Sequence, residues 1–514
     1  MKTRNSRGSR ISIRLLALVL MPLGLLAIRQ LTQAQPASQT PAPIFVDAAV
    51  VGGLQNGSSW GNATPSLDYA IAHAMSGGEL WCATGTYTPA SATTGFLITK
   101  QLRLYGGFLG PHDALNPSYP GESQVSERRG SAKLTVLNGE ILTPSHTDNV
   151  NHVVSIDTVA SSNGNPGVLI DGFRIKDGQG GPLLGLDGAG IWCHCTDLDL
   201  NNVYFDHNYA FDGGAIWFEG CVVTPPPPAG PAPLNILRVK SCEFFDNHAD
   251  HYGGAIFADT LSGWVVNSKF MTNLANPFGG GAYVKHVQSN KSFDFTNCVF
   301  WENYCTGVTT ALGGALYFDQ ASSGAGDYSI SQVVNCTFSG NFIAQCVAGQ
   351  AMHVSANSLV GVYNSILFWN KDLVSNGCGT TLPPISGLPT VEYSDVQLAF
   401  TGSNNLNVDP KFMATTPSGP PPTSFTGGGP PPTAVLPDLS LRRAGTGIAG
   451  SECIDYGDLT RVPADVADLD EDGDLTERLP LDLLEAPRRV DRHQPGEDTP
   501  TGVDFIDRGC YERP

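Results

Sequence analysis

The chain contains 514 residues with a formal net charge of −19, and only 15% of its residues are charged. An acidic surface repels nucleic acid and anionic lipid, so the composition excludes a chain built to bind either of them, and it favours divalent cations. The abundance of glycine (59 residues) and proline (37 residues) is typical of a turn-rich β protein.

The N-terminal residues have the pattern of a secretory signal peptide. Basic residues precede the apolar run 15–28, and a small-polar stretch ends at Ala34. This run is shorter than the ~20 residues of a membrane span, and Pro22 interrupts it. We therefore expect residues 1–34 to be removed and 35–43 to form a spacer. The mature protein is then expected to be secreted or displayed at the cell surface, with no membrane span and no nucleic-acid partner.

A short region precedes the repeats. The segment 44–47 is strand-like, and the apolar residues of 66–75 recur at the i, i+3, i+4 spacing of an amphipathic helix. A helix beside the first strand would cover the end of a stacked sheet, which otherwise exposes unpaired backbone groups. Residues 44–167 are therefore predicted to form an N-terminal cap and the first coils of a β-helix.

Between residues 168 and 450 one template, apolar-x-Asn-small-x-Phe-x-x-Asn, can be placed on the chain six times. The first Asn position holds Asn202, Ser241, Asn267, Asn297, Asn335 and Asn364. The Phe position holds Phe205, Phe244, Phe270, Phe300, Phe338 and Leu367, and the second Asn position holds Asn208, Asn247, Asn273, Asn303, Asn341 and Asn370. Repeats of this uneven spacing predict an all-β fold, a right-handed parallel β-helix with loops of variable length.

A second element follows five of these repeats. It begins with two glycines, or with a glycine in a degenerate copy, and continues with alanine and an apolar pair. Its copies start at Gly213, Gly253, Gly280, Gly313 and Gly349. We expect the glycines to make the sharp turn into the next strand, where a side chain would clash.

In stacked coils, equivalent residues form columns ~4.8 Å apart along the axis. Asn at a bend tolerates the left-handed backbone conformation, and stacked Asn amides can form a hydrogen-bonded ladder. We expect parallel strands from about residue 80 to 450, the first Asn residues in one column, and a buried Phe column. Cys242, Cys298 and Cys336 are predicted to be buried thiols beside the bend.

The remaining cysteines leave alternatives open. Cys193 and Cys195 flank a histidine like a ligand pair, but no second pair is apparent, and two sulfurs on one strand face favour core packing over zinc. Cys453 and Cys510 lie outside the repeats and could form one disulfide.

Several motifs resemble those of a known group. The repeats, with Tyr105-Gly-Gly-Phe108 and Leu169-Ile-Asp-Gly-Phe173, resemble secreted bacterial right-handed parallel β-helix repeat proteins. Asn208-Tyr-Ala210 and Asn247-His-Ala249, each followed by Gly-Gly-Ala, are similar to polymorphic outer membrane protein repeats. The resemblance covers nearly the whole mature chain but implies little about activity, because β-helices serve lyases, hydrolases and adhesins alike.

Polysaccharide-cleaving enzymes on this fold need carboxylates gathered with a basic residue. The candidates are Asp206, Asp246 and Glu302 with Arg238 and Lys240, but the carboxylates do not share one column, and ordinary solvated charges are favoured. A groove with three acids and a basic residue would favour an enzyme instead.

Aromatic residues supply a second kind of candidate site. Trp192, Trp217, Phe257 and Tyr317 follow the Gly-Ala elements and could either stack on sugar rings or alternate into the core.

Two function classes remain. The favoured class is a secreted or cell-surface scaffold of the adhesin type, non-catalytic, with carbohydrate binding as its open question. Its partner would be an extracellular polysaccharide or a cell-surface component. The alternative is a polysaccharide lyase or glycoside hydrolase that acts on an extracellular glycan.

Residues 451–514 form an acidic C-terminal region with a possible calcium loop. Asp468, Asp470, Asp472 and Asp474 alternate along the chain, with Gly473 at the sixth position for the sharp turn. The twelfth position, where a bidentate acid belongs, is Leu479, so Glu477 or Asp482 would have to substitute. The sequence therefore predicts calcium as the cofactor, against the alternative of an acidic surface turn.

The Pro-rich segments 224–233 and 415–433 are predicted to be coil.

Overall fold

The chain winds into coils that stack along one axis as a right-handed parallel β-helix. This computed structural model describes residues 41–113, 115–116, 118–141, 148–159, 167–181, 185–221, 235–259, 262–286, 292–307, 311–320, 329–344, 347–356, 358–372, 382–413, 436–443, 449–454, 456–485 and 506–511. The predicted signal peptide and the coil segments 224–233 and 415–433 lie outside the described residues. Among the described residues, no helix is long and apolar enough to cross a membrane.

Each complete coil contributes one strand to each of four sheets, numbered 1 to 4 in the order in which the chain passes through them. Sheet 1 contains Ile44–Val46, Gly78–Ala83, Leu102–Phe108, Val168–Asp171, Leu198–Asn201, Ile236–Lys240, Ser262–Val266, Phe293–Thr296, Ser329–Val334, Ser358–Tyr363 and Thr390–Glu392. Sheet 2 contains Gly85–Tyr87, Thr135–Asn138, Arg174–Lys176, Tyr204–Asp206, Glu243–Phe245, Lys269–Met271, Val299–Trp301, Thr337–Ser339, Ile366–Phe368 and Asp395–Val396.

The other two sheets complete the coil. Sheet 3 contains Tyr209–Ala210, His248–Ala249, Leu274–Ala275, Tyr304–Cys305, Phe342–Ile343 and Lys371–Asp372. Sheet 4 contains Phe96–Ile98, Val154–Asp157, Ile191–His194, Ile216–Glu219, Ile256–Asp259, Ala282–His286, Leu316–Gln320, Met352–Val354 and Ile385–Ser386. Short 3-10 helices span Trp60–Asn62, Val125–Glu127, Ala132–Leu134 and Leu459–Arg461.

The parallel strands begin and end earlier than the predicted limits of 80 and 450. The first strand, Ile44–Val46, pairs with Gly78–Ala83, and the last parallel bridge in the described chain joins Asp395 to Leu406. The predicted amphipathic helix is confirmed as Leu67–His73, and the Ser66 side chain accepts a hydrogen bond from the Tyr69 N–H at its N-terminus. Its apolar face is buried in the same core as the first strands, so it covers that end of the β-helix.

The first Asn positions form one column, as predicted. All six residues have φ between 49° and 57°, at the corner between sheets 1 and 2. Asn is enriched at such left-handed positions because its short side chain tolerates them, and Ser241 shows that another small residue can occupy the corner.

A second left-handed corner lies between sheets 2 and 3. It holds Asp177, His207, Asp246, Thr272, Glu302, Gly340 and Trp369, all with φ between 50° and 71°. The residue types vary so widely that no sequence pattern marks this corner. What the positions share is that each, from His207 onward, directly precedes a residue of the second Asn column.

The second Asn column forms the hydrogen-bonded ladder. Each Nδ2 donates to the Oδ1 of the Asn in the next coil, at 2.9–3.0 Å, from Asn208 through to Asn370. Each Oδ1 from Asn247 onward also accepts the backbone N–H of the preceding Asn. The first column therefore supplies the bend, and the second supplies the continuous ladder; in the first column a single amide-to-amide bond joins Asn297 to Asn267 among the described residues.

The core confirms the predicted Phe column. Phe244, Phe270, Phe300 and Phe338 have no exposed surface, and successive rings lie nearly parallel with centroids 4.6–4.7 Å apart. Burial of each ring contributes ~2–3 kcal/mol by area. The stacked rings therefore fill the interior from coil to coil.

Cys242, Cys298 and Cys336 are buried as predicted, but they do more than fill space. Each Sγ donates to the carbonyl two residues earlier, and the Oγ atoms of Ser268 and Ser365 make the same bond in their coils. The column also accepts backbone N–H groups from the preceding coil, for example Cys298 N to Cys336 Sγ. Either Cys or Ser can occupy this position, because both place a hydrogen-bonding atom one bond beyond Cβ.

The glycine turns follow the prediction with one correction. Residues 213, 253, 313 and 349 have positive φ, but in the third copy the left-handed residue is Gly279 and not Gly280. The strand register pairs Ile256 with Ala282, which shifts this copy by one residue. A Cβ at Gly279 would lie 2.5 Å from the Ala282 carbonyl oxygen, so only glycine fits.

We predict that Asn341→Ala lowers the free energy of unfolding by ~3–5 kcal/mol. The side chain of Asn341 takes part in four buried hydrogen bonds, with Phe300, Asn303 and Asn370, and the substitution would leave their partners unsatisfied. Urea unfolding followed by circular dichroism measures the change.

The matched control is Asn335→Gly, six residues earlier in the same coil. The Asn335 side chain is equally buried, but its amide atoms have no hydrogen-bond partner among the described residues, and its backbone is left-handed. Glycine suits that conformation, so this variant should change stability by less than ~1 kcal/mol. Equal losses in the two variants would contradict the division of roles between the columns.

Candidate functional site

An aromatic column runs along the outer face of sheet 4. In register, it consists of Trp192, Trp217, Phe257, Tyr283, Tyr317 and His353, which we call the aromatic strip. The alternation expected of a strand places Ile216 and Phe218 in the core and Trp217 outside. These aromatic residues therefore lie outside the interior of the β-helix, although Phe257 and Tyr317 are buried in a separate cluster on this outer face.

The rings of the strip stack on one another. Trp192 and Trp217 lie 5° from parallel with centroids 5.6 Å apart, and Phe257 and Tyr283 are 5.5 Å apart at the same angle. Tyr317 continues the stack 5.0 Å from Tyr283. Parallel strand pairing alone brings these side chains into one column, because equivalent residues repeat at the strand spacing.

The two ends of the strip differ in exposure. Phe257, Tyr283 and Tyr317 are less than 10% exposed, because a second row of outer residues packs over them. This row consists of Tyr252, Phe278 and Leu312. Trp192 and Trp217 remain partly exposed. We call this pair the tryptophan platform.

A charged row borders the strip on the side of sheet 1. It contains His194, Glu219, Asp259, Lys285 and Asp319, two residues after each aromatic residue. The Lys285 Nζ lies 2.8 Å from Asp259, and the Tyr283 hydroxyl donates to Asp319 at 2.6 Å. At the tryptophan platform, the row offers His194 and Glu219, whose closest atoms are 3.6 Å apart.

Two carboxylates border the platform on its other side. Asp187 and Asp212 each directly precede the left-handed glycine of their coil, and Asp187 Oδ1 accepts the Asp212 N–H at 3.1 Å. Asp212 Oδ1 also accepts the Tyr252 N–H at 2.7 Å and lies 3.2 Å from His251 Nδ1. Burial raises the pKa of both carboxyls to about 6, and in Asp187 the neighbouring Asp212 adds to the effect.

The sequence singled out neither Asp187 nor Asp212. Both occupy the position before the first glycine of the Gly-Gly-Ala element or its relative, where the other coils carry Tyr252, Phe278 and Leu312. The sequence signal that could have identified these two residues is a carboxylate in a column that is otherwise apolar. It becomes visible only when the copies are aligned in the register of the sheets.

Of the carboxylates that the sequence proposed for catalysis, the structure brings Asp206 and Asp246 together through His207 but not Glu302. Asp206 is 1% exposed, and its two oxygens accept from Nε and Nη2 of Arg174. His207 bridges Asp206 and Asp246, and Glu302 is buried at the corner two coils beyond Asp246.

The two basic residues proposed with them have other partners. Arg238 pairs with Asp199, and the Lys240 Nζ donates to the Asp468 carbonyl. This arrangement agrees with the sequence-based preference for ordinary charges over a catalytic cluster. The two side chains are, however, hydrogen-bonded to other groups and not simply solvated.

The cysteines outside the thiol column partly contradict the sequence. Cys193 is in the core, but Cys195 lies beyond the strand end with φ 53° and forms a disulfide with Cys221. The expectation that both sulfurs share one face fails because the strand ends at His194. Cys453 and Cys510 are both buried and are not joined to each other, and the Cys453 thiol donates to Asp395 at 3.2 Å.

The predicted calcium residues are only partly brought together. One carboxylate oxygen from each of Asp468, Asp470 and Asp472 lies within 4.8 Å of the others. Asp474 does not join them, because its Oδ1 accepts from the N–H and hydroxyl of Thr476. Leu479 is buried in an apolar cluster, which explains why the twelfth position carries no ligand.

One repeat of the chain matches a known family model. The model of the Chlamydia polymorphic membrane protein repeat matches residues 241–259. This segment holds the sheet 2, 3 and 4 strands of one coil, from the left-handed Ser241 through the ladder residue Asn247 to the end of the sheet 4 strand at Asp259. No curated protein matches the chain. The repeat and the fold together fit a bacterial β-helix repeat protein and indicate a cell-surface scaffold of the adhesin type.

We predict that Asp212→Asn stabilises the protein at pH 7.5 by roughly 1–3 kcal/mol and has little effect at pH 4. The folded pKa of Asp212 is raised to about 6 from 3.8, so the folded state disfavours the ionised form. The stability that the protonated acid supplies is complete below pH 3.8 and is lost as the pH rises through about 6. Asparagine keeps the Oδ1 acceptor without the charge.

Urea unfolding at the two pH values measures the effect. The control is Asp409→Asn, an exposed aspartate that likewise accepts a backbone N–H, from Lys411, and should show no such gain. A gain for Asp212→Asn that is equal at both pH values would show that charge burial is not its cause.

Proposed function

We propose that this protein is a cell-surface β-helix scaffold that binds an extracellular polysaccharide along the outer face of sheet 4, without cleaving it. The observation that carries the proposal is the tryptophan platform, two parallel indole rings that remain partly exposed on a rigid sheet. The flat apolar face of an aromatic ring packs against the C–H face of a sugar, and its rigidity keeps the entropic cost of binding low.

The borders of the platform supply polar groups for sugar hydroxyls. Glu219 and His194 stand on one side, and Asp187 and Asp212 on the other. The pKa of Asp187 is raised mainly by burial, then by Asp212, and to a smaller extent by Glu219. The two borders therefore interact electrostatically across the strip. Carboxylates on both borders favour neutral or amino sugars, and they repel uronic acids.

A second candidate function has one observation in its favour. Asp187 and Asp212 have pKa values raised to about 6 by burial, which is the range of a general acid in a glycoside hydrolase. Against it, both carboxylates already accept a backbone N–H from the next coil, Asp187 from Asp212 and Asp212 from Tyr252. Three acids of the charged row, Asp259, Asp319 and Glu219, do act electrostatically on Lys285. Asp259, however, accepts from Lys285, and Asp319 accepts from the Tyr283 hydroxyl. We therefore favour binding over hydrolysis.

Affinity electrophoresis through gels that contain neutral, amino or uronic acid polysaccharides tests the proposal. We expect a neutral or amino polymer to retard the protein, and Trp217→Ala to weaken that binding at least tenfold because it removes half of the platform. The matched control is Tyr69→Ala, which removes a partly exposed aromatic residue from the N-terminal helix and should bind as tightly as the wild type.

Each alternative has its own outcome. Unchanged binding by Trp217→Ala, with melting temperatures close to that of the wild type, would reject the platform. Retardation by uronic acid polymers alone would contradict the proposed preference for neutral or amino sugars. Release of reducing ends from a retarding polymer, abolished by Asp212→Asn, would replace the binding function with hydrolysis.

A further inference from the structure

The acidic C-terminal region contains a closed loop. An antiparallel bridge between Ala464 and Arg478 joins its two ends, and the Asp465 N–H donates to the Glu477 carbonyl at 2.8 Å. Inside the loop, backbone N–H groups turn toward side-chain oxygens, for example Gly473 N to Asp468 Oδ1 at 3.1 Å. The loop therefore holds several carboxylates close together, although their charges repel one another.

Two carboxylates of this loop have buried oxygens without partners. Asp465 has no exposed surface, and its Oδ2 accepts the Leu469 N–H, while its Oδ1 has no hydrogen-bond partner in the part of the chain that the structure describes. Glu477 Oε1 is likewise buried and unpartnered. Buried carboxylate oxygens without partners are costly, because they lose hydration and gain nothing in return.

The unpartnered groups lie together with a residue of the predicted loop. One oxygen from each of Asp465, Asp470 and Glu477 lies within 4.8 Å of the others, and Asp470 belongs as well to the group with Asp468 and Asp472. Oxygens that share one calcium ion lie no more than ~5 Å apart, since each Ca–O distance is ~2.3–2.6 Å. The spacing of the carboxylates is thus that of ligands around a common ion.

We propose that the loop 465–477 binds one calcium ion between Asp465, Asp470 and Glu477, with Asp468 and Asp472 beside it. All five side chains offer only oxygen, which suits a hard cation and excludes a thiolate or imidazole site. A ligand set that combines a buried anchor with exposed loop residues suits the variable coordination of calcium better than the strict octahedron of magnesium.

This site differs from an EF-hand in its anchor. Asp465 precedes the alternating motif by three residues, and Glu477 follows it three residues after Asp474. The bridge between Ala464 and Arg478 brings these two together, so the missing twelfth ligand is replaced from the opposite side of the loop.

Calcium at this site would fix the C-terminal region to the β-helix. The Asp468 carbonyl accepts from Lys240 Nζ at 2.7 Å, and Leu479, directly after the loop, packs with Val462 and Ile506 against Val266 of sheet 1. A disordered loop would weaken both contacts. The ion therefore couples the order of the acidic loop to the docking of the region that carries it.

Isothermal titration calorimetry of the full mature chain with CaCl₂, after removal of calcium with EGTA, tests the proposal. We expect one calcium ion per chain, weaker binding of MgCl₂, and a melting temperature that rises with calcium concentration by mass action. Glu477→Gln and Asp465→Asn should each weaken calcium binding at least tenfold. Trypsin should cleave the region 458–485 faster in EGTA than in calcium.

The matched control is Asp474→Asn, which removes the same charge from the same loop but not a proposed ligand, and its affinity should stay within threefold of the wild type. Equal losses of calcium affinity in Asp474→Asn and Glu477→Gln would show that the ion is attracted by the acidic surface as a whole and not bound at the proposed site. Absence of binding heat and equal melting temperatures in calcium and EGTA would overturn the proposal. If Asp465→Asn does not fold, Glu477→Gln, at the partly exposed edge of the loop, decides the question alone.

Discussion

Successive coils of this protein must turn at the same places, and the structure depends on that constraint. A parallel strand can pair with the next coil only if both coils bend in register, and each bend at the borders of sheet 2 requires a left-handed residue. Once the bends coincide, the Asn amides, the Phe rings and the thiol or hydroxyl groups fall into columns. The columns then reinforce the register that produced them.

The outer faces of the coil are used differently. The outer side of sheet 2 is covered by the C-terminal region, in which Cys453, Leu483 and Tyr511 pack with Phe245 and Trp301. Sheet 4 instead carries the aromatic strip and its charged borders. Because the interior is filled by the same residues in each coil, function can be placed only on these outer columns and on the loops that connect them.

The sequence was sufficient for features that repeat. The Asn, Phe and Gly-Gly-Ala copies predict the fold, the buried Phe column and the left-handed Asn column, because a column imposes the same physical demand on each coil. The helix Leu67–His73 was recognised for the same reason, since its apolar spacing is periodic.

Features that depend on register could not be predicted in this way. An extra glycine made residues 279 and 280 equivalent candidates for the turn, and only the pairing of Ile256 with Ala282 separates them. The disulfide from Cys195 to Cys221 spans a connection between two coils, and Asp465 reaches Glu477 through a bridge that no motif encodes. Asp187 and Asp212 likewise form part of the site through stacking and not through proximity in sequence.

The Asn ladder also gives the rod a direction. All five amide-to-amide bonds donate toward the C-terminal coil, so their dipoles add along the axis, as peptide dipoles do in a helix. A chain of aligned amides polarises each successive member, so that the coils are coupled electrically as well as sterically. An aspartate in place of Asn273 would still accept from Asn247 but could not donate to Asn303, and the polarisation would end at that coil. The donor direction of the ladder thus distinguishes its N-terminal end, at Asn208, from its C-terminal end, at Asn370.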